Sequence, residues 1–269
     1  MRNFFMKTER EFSTFYYESL NKEILVFERM RSALVRNIVF LLVILMGLLG
    51  VSFWLVLNAK LFLVAAFFPF LMSIIAIPFL YSIISSANYA SGYKDKMMSR
   101  ISSFVDENLT YRINRSIDIK TFRQWGLFSK HVACLKGLGL VNGTINDCQL
   151  EFSEIYTPNK SGPMDGEDRA AVCLSLFKGG FFSIDCARVF ESEISMGIRE
   201  RVSDYAAASK KKINISFSGS KMYIAISYNR ELFAARVFHR LSDFDQALEY
   251  FNDTSFIVNI IKYVKKVAD

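Results

Sequence analysis

The fold of this chain is decided by the sequence IVFLLVILMGLLGVSFWLVL at residues 38–57 and by LFLVAAFFPFLMSIIAIPFLYSII at residues 61–84. Neither stretch contains a charged side chain. A helix rises about 1.5 Å per residue, so each stretch is long enough to cross the roughly 30 Å hydrocarbon core of a membrane. Because only Asn58, Ala59 and Lys60 separate them, we predict two transmembrane helices joined in a tight hairpin.

The positive charges around these stretches predict the orientation of the hairpin. The connecting turn carries Lys60 alone, whereas basic residues lie on both outer flanks: Lys22, Arg29, Arg31, Arg36, Lys94, Lys96 and Arg100. The positive-inside rule therefore predicts a multi-pass protein with both termini in the cytoplasm. A cleaved signal peptide does not fit, because its apolar core would fall within about the first 30 residues, and residues 1–36 are polar, aromatic and charged.

A second pattern, apolar residues recurring every three or four positions, predicts helices on both sides of the membrane segment. The earlier set is Phe12, Phe15, Tyr16, Leu20, Ile24, Phe27, Met30 and Leu34, and the later set is Tyr93, Met97, Ile101, Phe104 and Val105. The simplest interpretation is an antiparallel helical stalk that extends the membrane hairpin. An amphipathic helix over residues 8–34, lying on the membrane surface, is the alternative.

From about residue 136 the periodicity changes to the alternation typical of strands. We predict three hairpins, with turns at Asn142-Gly143, at Lys178-Gly179-Gly180 and at Ser218-Gly219-Ser220. We predict a mobile loop at residues 157–169, because this segment is rich in Pro, Gly, Ser and charged residues. Helices are predicted over residues 188–209 and 243–267.

These predictions combine into an α+β membrane protein. Residues 1–37 form a cytosolic amphipathic helix, residues 38–84 the transmembrane hairpin, and residues 85–135 the stalk and linking helices. Residues 136–269 form a cytosolic domain whose sheet is mainly antiparallel.

Cysteine and charge composition limit the classes of function. The sequence has four cysteines and no Cys-x-x-Cys pair: Cys134, Cys148, Cys173 and Cys186. Two of them sit at apolar positions of strand-like segments, as reduced cytosolic cysteines often do, so we expect reduced cysteines. The net charge of +7 is spread thinly. Its only basic run, residues 210–212, fits a solvated turn or a contact with anionic lipid better than nucleic-acid binding.

Two histidines are the first residues to weigh for catalysis or metal binding. His131 and Cys134 have a spacing that metal sites use, but no second pair accompanies them. His239 lies near Asp243 and Asp245, yet no activated nucleophile is recognisable beside it. We interpret His239 as a surface residue and the two aspartates as the start of the last helix.

Paired carboxylates and phosphate loops give no better candidate. Glu151 and Glu154 are an odd number of residues apart on a strand and should face opposite sides of the sheet. The glycines match no nucleotide-binding fingerprint. The sequence therefore predicts no catalytic, cofactor-binding or metal-binding residue and no cofactor, and it leaves open whether the protein is an enzyme.

Several segments resemble one known family. They are residues 143–145 (GTI), 151–154 (EFSE), 177–182 (FKGGFF), 215–226 (ISFSGSKMYIAI) and 232–233 (LF). They are similar to segments of the bacterial domain-of-unknown-function 3137 family. The resemblance covers roughly residues 10–265 and implies two N-terminal membrane helices, a cytosolic α+β domain and a bacterial inner-membrane location. It implies no activity or ligand, and residues 187–212 are shorter here than is usual for the family.

Two functions remain as hypotheses. The first is a membrane-anchored binding or scaffold module at the inner face of the bacterial cytoplasmic membrane, whose partners are the lipid bilayer and either another protein or a second copy of the chain. The second is a small-ligand sensor or an unrecognised enzyme, with a pocket between the sheet and the C-terminal helix. Two spans without an intramembrane charge make a poor ion path.

Overall fold

The computed structural model describes residues 7–59, 77, 88–126, 135–158 and 175–268. The chain divides into two compact units. Met1–Phe15, Asp95–Phe233 and Phe244–Asp269 form the unit that contains the sheet, here called the sheet unit. Tyr16–Lys94 and Ala234–Asp243 form the other, here called the helical unit.

A long N-terminal helical segment carries the first apolar stretch. Helix α1, Glu9–Phe15, passes through a π-helical turn, Tyr16–Leu20, into α2, Asn21–Ala59. Its most apolar 18-residue window has a mean hydropathy of 2.5 and is only 6% buried. Within the described residues it is the one helix long and apolar enough to cross a membrane. The predicted second span, residues 61–84, lies outside the described residues except for Ile77, so the two-helix hairpin stays a prediction.

The apolar stripe at the start of the chain is covered by protein. In the sheet unit, the Phe15 ring stacks on Phe104 of helix α3, Asn88–Val105, with ring centroids 4.3 Å apart. In the helical unit, Phe27 meets Tyr93 of the same helix edge to face at 6.1 Å. Tyr16, Leu20 and Ile24 are likewise buried, which favours the stalk over a helix lying on lipid.

The sheet unit confirms the α+β class. Among the described residues one antiparallel sheet has six strands in the order β1-β2-β3-β4-β6-β5. The strands are β1 Thr110–Arg112, β2 Lys136–Ile145, β3 Cys148–Pro158, β4 Ser175–Asp185, β5 Ile213–Ser218 and β6 Lys221–Ser227. The helices of this part are α4 Ile119–Gln124, α5 Ser192–Ser209 and α6 Phe244–Ala268. The predicted helices over 188–209 and 243–267, and the predicted hairpin at Gly219, are confirmed.

Both faces of the sheet are buried. On one face Phe181 packs against Phe122 of α4 and against Trp125, with ring centroids 5.0 and 5.6 Å apart. On the other face Phe152 stacks on its cross-strand neighbour Phe182 at 4.3 Å. Aromatic rings at consecutive strand positions therefore point to opposite faces, as the two-residue period requires.

The predicted turn at Asn142-Gly143 is wrong, because both residues lie inside β2. The turn between β2 and β3 is formed by Asn146 and Asp147, whose φ angles are 48° and 65°. Asn and Asp tolerate this left-handed region better than most residues. Gly143 serves another purpose: a Cβ there would lie 2.3 Å from the Asn108 carbonyl oxygen, so the strand needs glycine for close backbone packing.

The predicted turn at Lys178-Gly179-Gly180 is also wrong. These residues continue β4, which pairs with β3 along its length. A Cβ on Gly179 would lie 2.0 Å from the Ile226 carbonyl oxygen of β6, so this glycine too allows a close backbone approach. The predicted loop at 157–169 begins later than expected, since Thr157 and Pro158 belong to β3 and residues 159–169 lie outside the described part.

The expectation of four reduced cysteines is wrong for one pair. Cys148 at the start of β3 and Cys186 just after β4 form a disulfide. The antiparallel pairing of β3 with β4 brings the two cysteines together, because Gln149, which follows Cys148, is paired with Asp185, which precedes Cys186. Both sulfurs are buried, with the two residues 3% and 7% exposed. Cys134 and Cys173 lie outside the described residues.

Candidate functional site

A group of charged and phenolic side chains, with a fully buried carboxylate at its centre, joins α6 to α5 and to the residues that directly follow α5 and β6. Its members, here called the Asp253 cluster, are Tyr205, Lys211, Tyr228, Arg230, Glu249 and Asp253. The Asp253 side chain is fully buried. It accepts a hydrogen bond from the Tyr205 hydroxyl at 2.7 Å and from the Lys211 ammonium at 2.6 Å.

The backbone positions Lys211 for this contact. Helix α5 ends at Lys210, which adopts a left-handed conformation with φ 55°. This ending turns the chain, so that Lys211 lies beside α6 while Lys212 accepts a hydrogen bond from Ser227 of β6. The interpretation of residues 210–212 as a solvated or lipid-contacting turn is therefore wrong for Lys211, whose side chain is 14% exposed.

The charges of the cluster balance. Lys211 also forms a 2.9 Å ion pair with Glu249, and Arg230 lies 3.7 Å from the other Glu249 oxygen. The Lys211 ammonium lies 5.3 Å from the centre of the Tyr228 ring, whose hydroxyl faces Asp253 without meeting full hydrogen-bond geometry. Lys211 and Arg230 therefore match the charges of Asp253 and Glu249, of which Asp253 is fully buried whereas Arg230 is 46% exposed.

Burial sets the protonation of these groups. It raises the pKa of the Asp253 carboxyl, and the contacts with Lys211 and Tyr205 oppose that rise. Burial, reinforced by Asp253, raises the pKa values of Tyr205 and Tyr228 far above the ordinary phenol value. Both phenols therefore stay protonated, and Tyr205 donates its hydrogen bond to Asp253. The Tyr205 and Lys211 donors satisfy the Asp253 carboxylate, and this arrangement holds α5 and α6 together. Nucleophilic chemistry would instead need an ionised phenol.

A cavity with charged walls lies at the edge of the sheet where β2 and β4 begin and β3 ends. It has a volume of about 270 Å³, and we call it the charged cavity; its lining residues are Lys136, Leu138, Glu154, Ile155, Tyr156, Lys178 and Glu231. Two ammonium groups and two carboxylates surround it. Such a set suits a ligand that carries both signs of charge, although the volume lies just below the usual range for small-molecule sites.

Glu154 connects this cavity to the core. Its side chain is almost fully buried, and it accepts a hydrogen bond from the Leu232 backbone N–H at 2.9 Å. Glu151, by contrast, is exposed. The prediction that the two carboxylates face opposite sides of the sheet is confirmed. The buried one holds the segment Leu232-Phe233, in which Phe233 has a φ of 51°, and so fixes one wall of the cavity.

A second cavity, a groove of about 380 Å³, lies beside the Asp253 cluster. It is lined by Lys7, Thr8, Glu9, Tyr205, Phe251, Asn252, Ser255, Phe256 and Asn259. Its floor is the Tyr205 ring stacked on Phe256 at 4.0 Å. Neither of these two cavities lies between the sheet and the C-terminal helix, where a ligand pocket was expected.

The histidines considered from the sequence do not gather a site in the described residues. His239 is exposed in the helical unit, in a turn where its N–H bonds to the Arg236 carbonyl. Asp243 directly precedes α6 and Asp245 lies in its first turn, as predicted. His131 and Cys134 lie outside the described residues. Within the described ranges, no three His, Cys, Asp or Glu side chains are placed to hold a metal ion.

Sequence reasoning missed the Asp253 cluster. Its members are spread from residue 205 to residue 253, and each resembles an ordinary surface residue of a helix or turn. One signal was available: Asp253 lies on the apolar face of α6 between Phe251 and Ile257, where an ionisable residue is unusual without a partner.

Comparison with known proteins gives one match. Residues 193–266 match the family model described as "Protein of unknown function (DUF3137)", and this match supports the assignment of the chain to that family. No curated protein matches the chain, and no solved structure matches it. The matched segment contains α5, β5, β6 and α6 with every member of the Asp253 cluster, but of the charged cavity it contains only Glu231.

Proposed function

We propose that the protein is a membrane-anchored module that binds a partner at the cytoplasmic face of a bacterial inner membrane. The observation that carries the proposal is the exposed apolar helix α2. Phe53 and Trp54 are each at least 60% exposed, and a helix with this surface needs a solvent that is itself apolar. The family match describes a protein of unknown function and adds no activity.

The charge distribution supports the proposed orientation. Basic residues lie outside both apolar stretches, whereas Lys60 alone lies between them. The proposal includes two spans, although α2 is the one seen among the described residues. Both termini, and with them the sheet, would then face the cytoplasm.

Labelling with a membrane-impermeant thiol reagent tests the topology. A cysteine introduced at Asn58 should be labelled in intact cells, whereas one introduced at Met196, which is 63% exposed on α5, should be labelled only after lysis. The unsubstituted protein gives the background from its own cysteines. Labelling at Met196 in intact cells would overturn the cytoplasmic location.

The disulfide between Cys148 and Cys186 is the observation that opposes a cytoplasmic sheet. Disulfides persist in oxidising compartments and are rare in the cytosol. The thiol state in living cells therefore provides an independent test of the orientation, described below.

Capture of the full-length protein in detergent, followed by mass spectrometry of proteins and of small molecules, tests the binding role. A protein retained in stoichiometric amount would support the module. The charged cavity favours a second function, a small-ligand sensor. That function predicts a retained small molecule that is lost in Lys178→Met but kept in the control Lys120→Met, whose lysine is exposed outside the cavity on α4.

A further inference from the structure

The loop 234–243 presents an aromatic side chain between two arginines. A turn closed by the hydrogen bond from His239 N–H to the Arg236 carbonyl oxygen forms its tip. Phe238 in this turn is 72% exposed, the most exposed large apolar side chain among the described residues. Arg236 and Arg240 on either side of it are exposed as well.

Within the helical unit, three hydrogen bonds fix this loop to helices α2 and α3. Arg31 of α2 donates to the Val237 carbonyl oxygen at 2.8 Å. Glu28, one helical turn earlier, accepts from the Leu241 N–H at 3.1 Å, and the Tyr93 hydroxyl donates to the Leu241 carbonyl oxygen at 2.5 Å. These bonds hold the turn against the part of α2 that directly precedes the apolar stretch.

The height of the loop above the membrane follows from the helix rise. Arg31 precedes Ile38, where the apolar stretch begins, by seven residues, which corresponds to about 10 Å along the helix. The headgroup layer on each side of a bilayer is about 5–8 Å thick. Arg31 therefore lies a little outside the headgroup layer, at a distance that a long arginine side chain in the neighbouring turn can span.

We propose that the 236–240 turn is a lipid-binding site, in which Arg236 and Arg240 bind anionic headgroup phosphates and Phe238 enters the interface. Aromatic rings and arginines are the residues that favour this layer. The exposed Arg29 and Arg36 of α2 add positive charge in the same unit. This inference rests on the proposed membrane anchor. It gives the protein a second contact with the bilayer, in addition to the membrane span.

Tryptophan fluorescence of the full-length protein in nanodiscs tests both the loop and the anchor. Lipids brominated at shallow acyl positions quench a tryptophan that reaches the interface. Trp54 reports on the anchor, and Trp125, buried in the sheet unit, gives the background in a Trp54→Phe protein. A Trp54→Phe/Phe238→Trp protein then reports on the loop.

With phosphatidylglycerol in the disc, we expect the tryptophan at position 238 to be quenched and its emission to move to shorter wavelength. Each arginine contact should change the occupancy of the docked state about fivefold. Arg236→Gln/Arg240→Gln in the reporter protein should therefore reduce the quenching strongly. The charge-matched control is Arg112→Gln/Arg115→Gln, which removes two exposed arginines of the sheet unit and should leave the quenching unchanged.

The outcomes separate the two proposals. If Trp54 is quenched but position 238 is not, the lipid site is wrong and the anchor stands. If Trp54 escapes quenching and the protein leaves the discs, the anchor itself fails. Equal loss of quenching in both arginine pairs, or a shift in emission that depends on the number of protein copies per disc rather than on the lipid, would also overturn the lipid site.

Discussion

Replacing Asp253 by alanine removes the centre of a buried ion pair. The carboxylate is fully buried and holds the Lys211 ammonium at 2.6 Å and the Tyr205 hydroxyl at 2.7 Å. Removal of one partner from a buried pair typically costs about 3–5 kcal/mol, because the other charge remains buried without compensation. Lys211 keeps Glu249 at 2.9 Å, so we expect a loss of about 3–4 kcal/mol in the free energy of unfolding.

Urea unfolding of the full-length protein in detergent measures this loss. Trp125 is 4% exposed and packs against Phe122 and Phe181 in the sheet unit, so its fluorescence reports on the unit that contains Asp253. A Trp54→Phe background removes the other tryptophan. Asp204→Ala is the matched control, because Asp204 is exposed on α5 and its loss should change stability by no more than about 0.5 kcal/mol.

A double-mutant cycle tests the cause of the loss. Lys211→Met alone leaves Asp253 buried without the Lys211 cation, and Asp253→Ala alone leaves Lys211 without the Asp253 carboxylate. The double variant leaves neither charge unpaired, so it should cost less than the sum of the single changes by about 0.5–3 kcal/mol. Strict additivity, or an effect of Asp253→Ala no larger than that of Asp204→Ala, would show that the pair does not couple α6 to the end of α5.

Three further predictions concern other contacts. Phe15→Ala should cost about 2–4 kcal/mol in the same urea assay, because the ring stacks on α3 in the sheet unit. The Arg31 hydrogen bonds lower the pKa of Glu28 from its usual 4.5. The stabilisation that Glu28 contributes is therefore present above pH 4.5 and is lost as the pH falls through the lowered pKa. The protection factor of the Leu241 amide, which removes the intrinsic pH dependence of exchange, should then fall on acidification. If the sheet is cytoplasmic, alkylation of thiols in living cells should find Cys148 and Cys186 reduced.

Matched controls decide each of these predictions. Tyr17→Ala removes a ring that is 57% exposed and should cost far less than Phe15→Ala. In Glu28→Gln, which has no titrating group at this position, the protection factor of the Leu241 amide should no longer depend on pH, and an unchanged pH profile in this variant would refute the role of Glu28. Recovery of Cys148 and Cys186 as a disulfide from cells would place the sheet in an oxidising compartment and refute the proposed orientation.

The periodicity of apolar residues was sufficient to predict the fold class. A strand that buries one face has an apolar residue at every second position, and a helix that buries one face has one at every third or fourth position. Glycine-containing segments could not be interpreted from local sequence. Asn142-Gly143 and Lys178-Gly179-Gly180 have the composition of turns, but their glycines are required by the Asn108 and Ile226 carbonyl oxygens that approach from distant parts of the chain. A tertiary contact, rather than a backbone angle, decides those positions.

The candidate site was less predictable for the same reason. Lys211 lies in a run of three lysines, which locally indicates a solvated turn, and only folding brings Asp253 of α6 within 2.6 Å of it. The charged cavity likewise collects Lys136, Glu154 and Glu231 from separate segments. Side chains that acquire their role from residues far along the chain leave no short motif to recognise.

The stacking of Phe12 on Phe251, with ring centroids 4.4 Å apart, has a consequence for the order of synthesis. Phe12 emerges from the ribosome before the membrane segment, whereas Phe251 follows Phe12 by 239 residues. At roughly 5–20 residues per second the first waits on the order of tens of seconds for the second. The sheet unit therefore cannot close until after the apolar helix has been made, and a fragment beginning at residue 85 would lack the ring that fills this part of its interior.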